Sequence, residues 1–334
     1  MLPTLFVIDS TTGDAVLRWP GSATVPQLER LLEDGERATR VVQGETGIAA
    51  LAQADRLAAA ERYEEAAKAY RVALDVVSPS RRPRVIESLL IADLNAGAAE
   101  DCAHTALAEI PKLERGPSFA NAAAFGLLCA KALPAATAWR PEALDRLAAL
   151  VEEALALPNI LADDRSGLYE ELVMLRRERN DAAGAQELAG RWLTFVETEA
   201  ARAPTAAARA AFNHYRATAA IALGDPGRAL AAVKESEEEL PDDYDPPYRR
   251  AVLERALGHD DLALAAFDRA AALAHGPRRV RIFEMCAEIE EKRGDRAAVR
   301  RRLADALAAA EALPPGQGGE YMAKRLRKRL AAVP

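Results

Sequence analysis

The chain has 334 residues, a net charge of −7, 28% charged residues and only 5% aromatics. That length exceeds one ordinary core, so several domains or an elongated array are expected. The acidic balance argues against a general nucleic-acid binder, and no apolar run is long enough to cross a bilayer.

The first elements are strands. Leu5-Phe6-Val7-Ile8 is an apolar run, Thr12-Gly13-Asp14 a turn, and Ala15 to Trp19 a second strand closed by Pro20-Gly21. This reads as a β-hairpin. A helix over 25–34 ("VPQLERLLED") follows, making a β-β-α unit. The run at 5–8 is continuous enough to want cover on both faces, as inside a sheet. A hairpin and one helix are small for independent stability.

From there on the chain reads as helix, and its periodicity is internal. The segments "ALGDPGRALAAV", "ALGHDDLALAAF" and "KRGDRAAVRRRL" place turn glycines at Gly224, Gly258 and Gly294, 34 and 36 residues apart. Each is followed by a small or short residue (Ala229, Ala263, Val299), then a larger one (Val233, Phe267, Leu303), then a small one (Ser236, Ala270, Ala306). An earlier copy at 59–79 carries Tyr63, Ala66, Tyr70, Ala73 and Leu74. The pattern is that of a helical hairpin. Glycine takes the left-handed turn, Asp after it caps the next helix, small residues allow close approach and the larger one fills the groove. One such hairpin leaves its apolar face uncovered, so copies stack. Expected pairs are 82–96 with 98–113, 117–133 with 141–157, 163–179 with 181–203, 205–223 with 226–240, 245–257 with 260–275 and 277–293 with 295–313.

These residues resemble the tetratricopeptide repeat (TPR) family, most clearly over 47–79 and 205–313. The resemblance implies an all-α superhelical solenoid of stacked hairpins over 41–313. It further implies a protein or peptide partner, no cofactor and no catalysis. The family's Trp, Leu and Tyr of the first helix are mostly absent here. A concave face would be lined by residues ten before each turn (Leu51, Glu170, His214, Tyr248, Glu284) and six before it (Asp55, Met174, Thr218, Val252, Glu288). None of these is Lys or Asn, so no clamp for a terminal carboxylate is expected. Asn213, His214, Tyr215, Tyr248, Arg249 and Arg255 form the richest part of the expected groove, since aromatics with Arg anchor interfaces. Packing inside the repeats is the other reading of Tyr215 and Tyr248.

Residues 314–334 follow a Pro-Pro and a glycine-rich joint. Met322, Leu326 and Leu330 share one helix face, and Lys324, Arg325, Lys328 and Arg329 make the other basic. A helix closing the stack is expected; a site for an acidic or phosphorylated partner is the alternative.

Residues 1–40 resemble the C-terminal half of the thioredoxin family through Pro3-Thr4, Asp9, Gly13, Gly21 and the Leu28-Leu31-Leu32 helix face. The resemblance gives Pro3 the role of the proline beside a redox dithiol. The Cys-x-x-Cys half is absent, so the front is either a remnant capping the array or the end of a domain that begins upstream. The latter would make the native protein a thiol-disulfide oxidoreductase with a repeat tail. Cys102, Cys129 and Cys286 are far apart, and are expected as buried thiols of a cytoplasmic protein. Asp242, Asp243 and Asp245 lie among prolines and lack the rhythm of a metal loop. Small-molecule, nucleic-acid and membrane partners are not expected.

Overall fold

The computed structural model describes residues 4–39 and 46–333. Pro3 lies outside them. The chain divides into two compact units, Met1–Asn180 and Asp181–Pro334.

In the first unit, β1 (Thr4–Ile8) and β2 (Ala15–Pro20) pair antiparallel, with Leu5 opposite Trp19 and Val7 opposite Leu17. Helix α1 (Val25–Thr39) lays Leu31 on Leu17 and Trp19. The expected end at Asp34 is overrun. Gly35 stays helical and lets α1 close on β1, since a Cβ there would stand 2.6 Å from a Val7 methyl. Two further expectations fail together. Leu28 and Leu32 are exposed rather than packed, and Leu5, Phe6 and Ile8 remain open. A sheet of two strands is too narrow to cover more than the Leu31 stripe.

Hairpins follow: α2 (Thr46–Ala59) with α3 (Tyr63–Val76), α4 (Arg82–Ala96) with α5 (Ala99–Glu109), and α6 (Pro117–Ala132) with α7 (Arg140–Leu155). Helix α8 (Ala162–Glu178) ends the unit. Each second helix packs on the next first helix, and α4, α6 and α8 pack in succession. This is translational stacking, in which every hairpin covers its neighbour. The stack brings α5 against α6, and there Cys102 and Cys129 form a disulfide with 5.5 Å between Cα atoms. The expectation of isolated thiols is corrected at this pair, because contact between hairpins is not visible in cysteine spacing. Cys286 remains a buried thiol.

The second unit holds α9 (Ala182–Arg202), α10 (Ala206–Ala210), α11 (Asn213–Leu223), α12 (Gly227–Glu239), α13 (Asp245–Ala256), α14 (Asp260–Leu273), α15 (Pro277–Arg293), α16 (Arg296–Glu311) and α17 (Gly319–Ala331). Helix α9 packs on α11, and α11 with α12, α13 with α14 and α15 with α16 are hairpins. The expected pair 163–179 with 181–203 is divided between the two units, and 205–223 is broken at residues 211–212.

The turn chemistry is as the spacing predicts. Gly97, Gly224, Gly258 and Gly294 take φ of +73° to +85°. Glu61 and Asn180 fill the equivalent turns at φ 59°, a conformation non-glycine residues adopt at a cost. The small-large-small series is buried throughout; Ala229, Val233, Ala263, Phe267, Ala270, Leu303 and Ala306 are fully enclosed. Capping follows the expectation only in part. Asp295 accepts the Ala298 N–H at 2.9 Å, while after Gly224 the cap position belongs to Pro226.

Candidate functional site

Successive first helices build one face of each unit, and the two units present it differently.

In the first unit the β-β-α front lies on it. Ser22 donates to Asp163 of α8 at 2.7 Å, Arg81 donates to Asp34 of α1 at 3.1 Å, and Arg84 stands 3.5 Å from the same carboxylate. Leu51 and Asp55 of α2 and Glu87 of α4, which an open groove would expose, are all buried. Arg84 also pairs with Asp55 at 2.8 Å. Burial works against the Arg84 charge, but Asp55, Tyr70 and Asp34 outweigh it and hold the guanidinium protonated more firmly than usual. A cleft of about 880 Å3 remains beside the front, lined by Trp19, Arg30, Arg84, Glu87 and Ser118 among others. Glu87 is fully enclosed there. Asn121 donates to one oxygen at 3.3 Å, and Ser118 also hydrogen-bonds the carboxyl. Burial pushes its carboxyl up to about 8. Asp164, at the start of α8, is pushed up to about 7 by burial and by Asp163.

Glu87 and Arg84 escaped the sequence reading. The signal was present: Gly97 is a turn glycine like the others, and Glu87 stands ten residues before it.

In the second unit the face carries His214 and Thr218 on α11, Tyr248, Val252 and Arg255 on α13, and Glu284 and Glu288 on α15. His214 is exposed, while Thr218, Val252, Arg255 and Glu288 are half-buried. Arg255 donates to Glu288 at 3.1 Å, and Arg281 reaches the other oxygen of that carboxylate at 3.0 Å. Tyr248 is divided between packing and surface. Its ring meets Phe267 edge-on at 5.8 Å, its hydroxyl lies 3.5 Å from the Met285 sulfur, and Arg249 covers it at 4.9 Å while pairing with Asp245. Asn213 does not reach the surface. It is fully buried, and its side-chain oxygen accepts from Arg216 at 2.7 Å. Tyr215 turns toward Trp192 of α9, ring centroids 6.4 Å apart. The six expected groove residues therefore separate. His214, Tyr248, Arg249 and Arg255 stay at the surface, and Asn213 and Tyr215 serve packing.

The terminal helix α17 buries Ala323 and Leu326 against α15 and α16. Its basic face is largely engaged. Arg325 donates to both oxygens of Glu284 at 2.7 Å, and Arg329 reaches Glu291 at 2.9 Å. Lys324 and Lys328 are exposed.

Burial pushes the Cys286 thiol up to about 12, which leaves it unreactive at neutral pH. Among the described residues no cluster of His, Cys, Asp and Glu is suited to a metal ion, and no helix is long and apolar enough to cross a membrane.

No family model and no curated protein matches the chain. Solved structures do. A tetratricopeptide repeat protein from Parabacteroides merdae superposes with a TM-score of 0.52 at 9% identity, over 85% of this chain and 100% of that one. The TPR2AB domain of yeast Sti1 in complex with pHSP90 gives 0.31 at 14% identity, over 86% and 100%. A thermophilic TPR protein of Thermus thermophilus gives 0.31 at 16% identity, over 86% and 98%. The first of these carries the likeness, and at such identity it is a likeness of fold: a TPR-like helical repeat.

Proposed function

We propose that this chain is a non-catalytic scaffold that binds a protein or peptide partner on the first-helix face of its second unit. One observation carries the reading. Leu51 and Asp55 of α2 and Glu87 of α4 are buried beneath the front, whereas His214 and Thr218 of α11, Tyr248, Val252 and Arg255 of α13 and Glu288 of α15 remain at least partly open and mix an imidazole, an aromatic ring and paired charges; Glu284 of α15 is buried under Arg325 of α17. Such a mixture of Tyr and Arg with a polar surround suits an interface anchor. The Arg255–Glu288 pair is only partly exposed, so a partner that displaces one member must supply its own charge.

The test is affinity capture with the full chain, comparing wild type with Tyr248→Ala and Arg255→Ala. A specific partner should be lost, or its Kd raised about tenfold or more, in both variants. Unaltered recovery in both removes the proposed groove.

The front supports a second reading, thioredoxin-like ancestry. An antiparallel hairpin with Gly13 in its turn, Gly21 after its second strand and a helix laid across one face is what that resemblance implies. An in-frame Cys-x-x-Cys in the DNA upstream of Met1 would favour an oxidoreductase with a repeat tail; an immediate in-frame stop would remove it. A cytoplasmic location belongs to the scaffold reading, and Cys102–Cys129 is its test. Reducing compartments keep few disulfides, so recovery of this bond intact from acid-quenched native cells would place the chain in an oxidising compartment.

A further inference from the structure

The front exposes apolar surface that its own fold leaves unused. Of the eleven large apolar side chains open to solvent among the described residues, six belong to this short segment: Leu5, Phe6, Ile8, Val25, Leu28 and Leu32. Four of them, Leu5, Val25, Leu28 and Leu32, gather on its α1 side. Gly35 abuts Val7, which fixes the side of α1 that faces β1. Leu32, Leu28 and Val25 precede Gly35 by three, seven and ten residues, the spacing of a single helix stripe. They therefore run along the β1 side of α1. β1 continues the patch, with Leu5 on its α1 face and Phe6 and Ile8 on the other, by strand alternation.

The two strands are covered unequally. Val16, Leu17 and Trp19 of β2 are buried, and β2 packs against both α1 and α2. The outer edge of β1 meets no strand among the described residues. A flat apolar edge of this kind is a template for another strand.

We propose that two copies of this chain associate through β1, edge to edge and antiparallel, to form a four-stranded sheet in the order β2-β1-β1-β2 with both α1 helices on one face. The second copy is the occupant because it supplies both missing parts at once. The edge needs an extended strand, and the stripe beside it needs an apolar helix face. A two-fold axis normal to the sheet brings each against its own counterpart, the isologous arrangement that closes on itself. An extended peptide would satisfy the edge and leave Leu28 and Leu32 in water. The area agrees. At fractional exposures of 38–69%, the six side chains present about 500 Å2 per copy and about 1,000 Å2 for two. Backbone along the edge carries the total toward the roughly 1,200–2,000 Å2 of a stable interface.

The experiment is sedimentation of the full chain from about 1 to 100 µM, with the dissociation constant read from the concentration dependence. The expected result is a mass of one chain at the dilute end and two at the concentrated end. Phe6→Lys and Leu32→Glu, each at a half-exposed position, should raise the dissociation constant by about tenfold or more without changing helix content or melting temperature. Val25→Lys, at the most exposed of the six positions, provides the same reading should either variant fold poorly. A mass of one chain throughout, a dimer kept by all three variants, or growth into species larger than two would each overturn the proposal. Dimerisation that appears only when an extended apolar peptide is added would assign the edge to a peptide instead.

Discussion

Glu87 is a fully buried carboxyl in the wall of the cleft, and its titration has an unusual sign. In the unfolded chain it ionises near 4.5; in the fold, burial keeps its proton on to about 8. Between those values the folded state binds the extra proton. Its contribution to stability is therefore complete below about 4.5 and is lost as pH rises through about 8, by roughly 3–5 kcal/mol. Asp164, pushed up from 3.8 to about 7, acts in the same direction over its own window. Glu87→Gln removes the ionisation and keeps the shape. Urea unfolding of the variant should lose most of the decline between pH 5 and pH 8, and at pH 8 the variant should be more stable than wild type by about 2 kcal/mol. An unchanged pH slope would mean that the carboxyl is hydrated after all.

Among the elements, α17 shows how a stack ends. Leu326 is fully buried against Val280, Ala287, Leu303 and Ala306, while Arg325 and Arg329 cross to Glu284 and Glu291. Leu326→Ala should cost about 2–4 kcal/mol and speed hydrogen exchange in α15 and α16. Lys324→Ala, on the exposed side of the same helix, should stay within about 0.5 kcal/mol of wild type. Equal exchange in both variants would show that α17 is not needed as a cap. Elements of this kind are legible in sequence because each hairpin writes its own geometry locally. A glycine marks the left-handed turn, and a small-large-small series marks the contact between helices. The departures have causes that no local window holds. α1 runs through Gly35 because Val7 sits opposite it, and Leu28 and Leu32 stay exposed because the described residues set only two strands beneath α1. The candidate groove is legible by position and not by pairing. Tyr248 and Arg255 fall where the turn spacing puts them, but Glu288, 33 residues on from Arg255, becomes its partner only through the stack. Asn213 reads as surface beside His214, although one residue of helix rotation turns it inward.

At the scale of the molecule, each hairpin within a unit touches chiefly the hairpins beside it, so stability is distributed as a sum of local terms and can be removed locally. The front adds to the first unit by lying across α2, α4 and α8, and the disulfide adds to it by joining α5 to α6. Cys102 and Cys129 are 27 residues apart, and closing a loop of that length in the unfolded chain contributes about 3–4 kcal/mol in the chain-entropy account. Both residues are fully enclosed, so replacing both with Ala removes the cross-link and leaves a small cavity, and the two effects fall on the same helices. The double variant Cys102→Ala, Cys129→Ala should therefore melt earlier in the first unit. Hydrogen exchange followed along the chain should quicken from α4 to α7 and stay as in wild type from α13 to α16, which belong to the second unit. An equal acceleration at both ends would show that the array opens as one cooperative block, and nearest-neighbour stacking would then be the wrong description of what holds it together.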